Sequence, residues 1–322
     1  MLSLGLTGGI AAGKSLLSIR FRELGAVVID ADQLARDVVA PGTAGLAEVV
    51  AHFGPHLLLP DGSLDRPQLG SLVFAEPAAR EALNAIVHPR VRAAAQSLKA
   101  QAGPGAIVVQ DIPLLVETGQ GANFHLVVVV QAPLEARVAR MMGARGMSRA
   151  DALARMAAQA SDAERAAAAD VVIANDGSPQ RALAELDALW HGRLLPFAAN
   201  LASGRAAGGT ATAPVVPADP SWPAQAGRLA ARVKAAVGEP AVAVDHVGAT
   251  ALAGHPAPDV LELQVQLRTK ADLAAAIAPL AAAGFPKTGW QEGGGSLHAS
   301  ADPGRPAALA VVVGALVQEA AR

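Results

Sequence analysis

The chain has 322 residues, of which 52% are hydrophobic, and a formal net charge of −2. That is ample apolar material for a core and more length than one domain usually needs; the missing basic surplus argues against nucleic acid or an anionic membrane as the main partner. Aromatic residues make up 3%, with no Tyr, which disfavours base-stacking platforms, and the lack of Cys excludes disulfides and thiolate metal sites.

At the N-terminus, the apolar run of residues 2–7 leads into Gly-Gly-Ile-Ala-Ala-Gly-Lys-Ser at 8–15 and then Leu16-Leu17-Ser18-Ile19. This reads as strand, phosphate-binding loop and helix. Gly8, Gly9 and Gly13 let the backbone through Ala11 and Ala12 wrap close to phosphates, with its N–H groups directed at them. The helix N-terminus at Lys14, Ser15 and Leu16 adds donors and a positive dipole end. Lys14 supplies a point charge for the β- and γ-phosphates, and the Ser15 hydroxyl is a Mg2+ ligand. ATP and Mg2+ are therefore the expected cofactors. A loop this close to the N-terminus leaves no room for a signal peptide, and the expected setting is cytoplasmic.

Further apolar, β-rich runs recur at 26–30, 106–110, 126–131 and 170–174, separated by helical patterns at 14–24, 31–39, 44–53, 77–100, 133–144 and 148–158. Alternation of this kind indicates a parallel sheet covered by helices. The run at 126–130 has strand length and is too short to cross a bilayer. Asp30-Ala31-Asp32 closes the second strand at the carboxyl edge, where open α/β sheets bind ligands. Asp32 suits two roles equally: accepting a proton from an attacking hydroxyl, or capping the helix that follows. Asp111 ends the third strand, either as a carboxylate behind the Mg2+ ligands or as a cap. Arg137, Arg140, Arg145, Arg149 and Arg155 lie on two helices joined through Gly143 and Gly146, a pattern that fits a lid over phosphates or a solvated face. Asn175-Asp176-Gly177 follows the fifth strand as a turn suited to the adenine edge.

Residues 1 to about 200 resemble the dephospho-coenzyme A kinase family. The resemblance is carried by Gly-Leu-Thr-Gly-Gly-Ile at 5–10, Gly-Lys-Ser at 13–15, Asp-Ala-Asp at 30–32 and Leu-Asp-Arg at 64–66. It continues in Leu-Asn-Ala-Ile-Val-His-Pro at 83–89, Asp-Ile-Pro-Leu-Leu at 111–115, Ala169-Asp170 and Asn-Asp-Gly at 175–177. It implies a P-loop NTPase sheet with a helical substrate insert and a lid. The implied reaction is transfer of the ATP γ-phosphoryl group to the ribose 3′-hydroxyl of dephospho-coenzyme A. By resemblance Asp32 takes or orients the hydroxyl proton, Lys14 and Arg140 hold the transferring phosphoryl group, and the insert around 44–100 contacts the acceptor. His88-Pro89 falls in that insert and by itself reads as a helix break. Ala11 stands where the family usually has Gly, so this position either keeps a negative φ or strains the cradle.

Residues 201–218 are rich in Ala, Gly, Thr and Pro and read as a linker between domains at 1–200 and 219–322, with few contacts expected across it. Beyond it come a helix at 223–237, strands at 241–247 and 259–267, a helix at 270–283 and a strand at 306–313: a smaller α+β domain. Asp219 to Pro223, Asp245 to Thr250 and His298 to Pro306 resemble the GrpB-like family, which is similar to nucleotidyltransferases. Three departures imply a degenerate domain of structural, stabilising or regulatory role. Ala249 replaces the motif Ser, Glu262 stands beside Asp259 where a second Asp is usual, and no position is evident for a third metal ligand. Three rival readings remain: a bifunctional chain whose tail transfers nucleotides, a non-catalytic nucleotide-binding regulator, and a kinase acting on another nucleoside or nucleotide.

Overall fold

The computed structural model describes residues 1–208, 213–292 and 294–314, and all of their side chains except that of Arg145. By its internal contacts the chain forms two compact units. One comprises residues 1–26 and 104–322, the other residues 27–103.

The first unit is built on parallel strands β1 (Leu2–Gly8), β3 (Ile107–Asp111), β4 (Leu126–Gln131) and β5 (Val171–Ala174), in the order β3-β1-β4-β5. β1 is central, with Leu4 opposite Leu126 and Leu2 opposite Ile107. The first five residues of β4, Leu-Val-Val-Val-Val, are all buried. A strand covered on both faces has no solvent side on which to place polar residues, which is why its sequence shows no alternation. Helices α1 (Lys14–Glu23), α6 (Leu134–Arg145), α7 (Arg149–Ala157), α8 (Asp162–Ala168), α9 (Pro179–Leu189) and α10 (Leu195–Ser203) accompany these strands. Trp190–Leu194 forms a π turn between α9 and α10.

The second unit begins with β2 (Val27–Asp30) and continues as α2 (Ala31–Asp37), α3 (Ala44–Phe53), α4 (Arg66–Ala75) and α5 (Pro77–Ala102) around a core of Val39, Leu46, Val49, Leu57, Leu69 and Ile86. Pro89 does not break α5, which runs through it. The missing N–H costs one hydrogen bond of a 26-residue helix, and the Arg90 guanidinium caps the neighbouring Ile86 carbonyl at 2.7 Å.

The smaller C-terminal domain consists of α11 (Trp222–Val237), α12 (Lys270–Ala282) and a mixed sheet. Its strands are β7 (Ala241–Val247), β9 (Leu261–Leu267), β10 (Lys287–Gln291), β11 (Gly295–Ala299) and β12 (Ala307–Val313), ordered β10-β11-β12-β9-β7. A two-stranded ribbon joins β6 (Val215–Val216) to β8 (Ala257–Pro258), so the second half of the linker segment pairs with this domain. Residues 209–212 of that segment lie outside the described residues.

The expectation of few contacts across the linker is overturned. The Arg193 guanidinium on the π turn grips Asp302 through two bonds of 2.9 and 2.7 Å. Arg228 and Arg232 of α11 both reach Asp170, which also accepts from Val127 N–H at the start of β4. Asn200 donates to the Ala301 carbonyl, and Ala207 N–H to Ser300. His125 accepts the Ser3 N–H through Nδ1, so Nε2 carries the proton and donates to the Ala282 carbonyl at 2.6 Å. Composition describes the covalent connection; most of these contacts join residues outside it, Arg193 to Asp302, Asp170 to Arg228 and Arg232, and His125 to Ala282.

Burial pushes the His125 imidazole below its ordinary pKa of 6.5. The imidazolium would place a second N–H against the Ser3 amide. A depressed folded-state pKa means that the unfolded chain binds the proton more readily. The stability that His125 contributes is therefore present above about pH 6.5 and is lost as pH falls through the folded value. Thermal melts from pH 7.5 downward should show a falling midpoint that His125→Gln flattens; parallel pH profiles for both proteins would remove His125 from the seam.

Candidate active site

The loop between β1 and α1 is held from three sides. From below, Lys14 forms an ion pair with Asp111 at the end of β3, and Ser18 Oγ donates to the other Asp111 oxygen at 2.8 Å. Asp111 is thus no helix cap; it is a buried strand residue with both oxygens engaged. From the β5 edge, the Asn175 amide donates to the Ala12 carbonyl at 2.7 Å. From α6, Arg140 donates to the Ala11 and Ala12 carbonyls at 3.0 and 3.2 Å and to the Asn175 carbonyl at 3.2 Å. Turning the loop carbonyls towards these donors leaves its opposite face to N–H groups. The first amides of α1, at Lys14 and Ser15, have no acceptor within the helix, whereas the Leu16 N–H turns back to the Gly13 carbonyl at 3.1 Å. The arrangement is a cationic cradle with free donors, the chemistry that a nucleotide's phosphates require.

Two glycines are dictated by geometry. Gly13 caps α1 with φ 101°, and a Cβ there would lie 2.1 Å from the Asn175 amide nitrogen. A Cβ on Gly9 would lie 2.1 Å from a terminal nitrogen of Arg137. Gly8 ends β1 opposite Val130. Ala11 is the sole non-glycine with positive φ among the described residues, at 61°. The strained alternative is therefore the one adopted, at a cost of about 1–2 kcal/mol for a left-handed L-residue.

Of the five arginines on α6 and α7, Arg137 and Arg140 reach the loop. Arg149 pairs with Glu135 in the open, and Arg155 is exposed; the side chain of Arg145 lies outside the described residues. Sequence reasoning missed Gln159 and Arg165. Gln159 accepts the Ile10 N–H at 2.9 Å, Arg165 donates to Gln159, and Asp162 bridges Arg165 to Arg137. Arg137 and Arg165 are 6% and 3% exposed, and both Nε atoms lack a partner among the described residues. The one local signal was the capping box of Ser161 and Glu164, which starts α8 and sets Arg165 beneath the loop. Asn175, read as an adenine-edge residue, is buried with its side chain committed to the loop.

In the other unit, Asp30 rather than Asp32 caps α2, accepting the Gln33 N–H at 3.0 Å. Asp32 is left exposed on the first turn. It lines a cavity of about 460 Å3 with Arg66, Asn84 and His88 among apolar side chains of α4 and α5. In the C-terminal domain Asp259 accepts from Trp222 Nε1 at 2.8 Å and pairs with Arg305, while Glu262 sits on β9 against Gly248. Asp259 is thus engaged structurally. Among the described residues no group of three or more His, Asp or Glu side chains is placed to hold a metal ion, and no helix is long and apolar enough to cross a membrane.

The strand–loop–helix unit, its lysine–aspartate pair and the parallel sheet define a P-loop nucleotide-binding domain. A family model described as dephospho-CoA kinase matches residues 2–181, and one described as GrpB protein matches residues 212–315. The dephospho-CoA kinase of Mycolicibacterium paratuberculosis is 47% identical over 337 residues, covering 95% of this chain and 81% of that protein. That of Streptomyces avermitilis is 56% identical over 176 residues, covering 55% of this chain and 86% of that one. The solved dephospho-CoA kinase from Campylobacter jejuni matches with a TM-score of 0.44 at 26% identity, over 59% of this chain and 96% of that one. The chain belongs to the dephospho-CoA kinase family, and it carries a C-terminal GrpB domain.

Two stability measurements check this geometry. Ala11→Gly should raise unfolding free energy by about 0.5–1 kcal/mol, the relief of strain exceeding the entropy gained by the unfolded chain; a lowered midpoint in urea would show that the strain is absent. Lys14→Ala should lower kcat by roughly 10²–10³ and also reduce the melting temperature, because it strands the buried Asp111 carboxylate. Adding Asp111→Asn should restore much of the melting temperature and none of the turnover. Additive losses in both readouts would show that the pair is not coupled.

Proposed function

We infer that this chain transfers the γ-phosphoryl group of ATP to the ribose 3′-hydroxyl of dephospho-coenzyme A, giving ADP and coenzyme A, the last step of coenzyme A synthesis. The observation that carries the reading is the complete cradle: Lys14 on Asp111, Arg140 and Asn175 on the loop carbonyls, in a chain of this family. Lys14 and Arg140 hold the transferring phosphoryl group. Breaking its bonds to the Ala11 and Ala12 carbonyls would free Arg140 to follow charge onto the γ-phosphate oxygens, where preorganised donors act on the transition state. Arg137 and Arg165 add buried positive charge under Gly9.

Mg2+ fits the residues present. The Ser15 hydroxyl and Asp111 carboxylate are hard oxygen donors. Both Asp111 oxygens already accept hydrogen bonds, which suits a carboxylate reaching the ion through water. The ion would take its other ligands from phosphate oxygens and water, and when bound it neutralises charge on the β- and γ-phosphates.

Asp32 takes or orients the proton of the attacking hydroxyl. Its carboxylate is not spent on the helix cap, and it lies at a cavity whose apolar wall and polar groups Arg66, Asn84 and His88 suit an acceptor with a nucleoside head and an apolar arm. The cytoplasm, where ATP and dephospho-coenzyme A are available, is the expected location.

Purified protein with ATP, Mg2+ and dephospho-coenzyme A should yield a product heavier by one phosphoryl group at the 3′ position, detected by mass. Dephospho-coenzyme A left unchanged while another nucleoside is phosphorylated would establish a different kinase. Asp32→Asn should bind ATP normally and lose transfer by roughly 10²–10⁴, the range for a positioned general base. Since Asp30 supplies the cap, α2 should keep its helicity; wild-type kcat in this variant would end the base assignment.

A further inference from the structure

Where α11 meets the β5 edge, a cavity of about 260 Å3 is lined by Asp170, Arg193, Gln225, Arg228, Gly304 and Arg305, with Leu229 its one large apolar side chain. It shares no residue with the phosphate loop or with the cavity around Asp32. Three guanidinium groups therefore converge on one small space, facing a single lining carboxylate.

Each arginine is fixed from behind and keeps donors to spare. Arg193 uses Nε and one terminal nitrogen on Asp302. Arg228 uses Nε on Asp170 and one terminal nitrogen on the Ala167 carbonyl. Arg305 uses its terminal nitrogens on Gln225 and on Asp259. A guanidinium has five N–H groups: Arg193 and Arg228 each use two among the described residues, and Arg305, which reaches both the carbonyl and the carboxylate of Asp259, keeps one terminal N–H besides its enclosed Nε–H. The three arginines are balanced overall by Asp302, Asp170 and Asp259, but of these carboxylates only Asp170 lines the cavity, and it is shared with Arg232 outside the lining. The wall that faces the space is therefore locally cationic. The π turn that carries Arg193 is the only one among the described residues, and such turns commonly aim a side chain at a function rather than serve stability.

We propose that this cavity is a binding site for a small phosphoryl-bearing anion, held by Arg193, Arg228 and Arg305. Orthophosphate or the terminal phosphate of a small metabolite fits the volume, and planar guanidinium forks match phosphate oxygens better than they match a spherical halide. A bound anion would take up the donors left on the cavity wall and bridge residues 167–193 to α11 and to the turn at 302–305. The C-terminal domain would thereby form half of a ligand site. The proposal does not depend on the identity of the acceptor phosphorylated at the loop.

The test uses the full chain with its phosphate loop filled by a non-hydrolysable ATP analogue, titrated calorimetrically with inorganic phosphate. One phosphate per chain should bind, and Arg228→Gln and Arg305→Gln should each weaken binding by about tenfold or more, the loss of one charge-assisted contact. Circular dichroism and melting without phosphate establish that each variant is folded. Absence of saturable binding at millimolar phosphate, or equal affinity in the folded variants, overturns the proposal. Should either variant fail to fold, hydrogen exchange on the wild-type chain decides. Phosphate should slow exchange in peptides covering residues 222–232 and 300–307, and unchanged exchange there overturns the proposal equally.

Discussion

Lys14 and Asp111 meet where β3 ends and α1 begins, and the geometry of the cradle depends on their pairing. A loop that binds phosphates must keep its amides unpaired and its backbone open, so it cannot be stabilised by hydrogen bonds on the face it offers to ligand. Its support has to come from the other side. Asp111 supplies that support as a buried carboxylate whose two oxygens fix Lys14 and Ser18. Arg140 and Asn175 do the same for the carbonyls of Ala11 and Ala12. The β1–α1 connection is thus preorganised by residues from β3, α6 and the end of β5, and even a left-handed alanine is tolerated within it.

The same logic extends to the C-terminal domain. Asp170 immediately precedes β5, whose far end leads into Asn175 and through it to the loop. Two arginines of α11 hold Asp170, and it in turn holds the Val127 amide near the start of β4. Buried ion pairs contribute little net stability compared with apolar packing, but losing one partner is expensive because it leaves a bare charge. The seam is therefore specified more than it is strengthened. It permits one docking arrangement, and it leaves a cationic cavity at the place where that arrangement is made.

Local chemistry was legible wherever a function depends on neighbours in sequence. The spacing from Gly8 to Ser15 revealed strand, loop and helix because backbone wrapping, dipole and lysine reach are all set within one turn of chain. Strands β3 and β4 were legible as continuous Val, Ile and Leu runs, and β1 and β5 as shorter apolar runs at the expected places in the alternation. The hairpin of β10 and β11 was not, since Lys-Thr-Gly-Trp-Gln and Gly-Ser-Leu-His-Ala hold few apolar residues and gain strand character by pairing with each other and, through β11, with β12. Asp32 suited a proton acceptor and a helix cap equally on paper; backbone geometry at residue 30 gave the cap to Asp30 and left Asp32 exposed.

What the sequence by itself determined is the nucleotide cradle, the class of sheet and the presence of a second α+β domain, because each rests on periodicity or on contacts within a few residues. What only the tertiary structure decided is which charges are used together. Arg228 and Arg232 sit four residues apart on α11, a spacing that reads as a solvated helix face, and both are spent on Asp170. Arg165 reads as another surface arginine of α8 and is nearly buried beneath the phosphate loop. A charged side chain's partner is chosen by where distant segments of the chain are brought, and no local pattern encodes that placement.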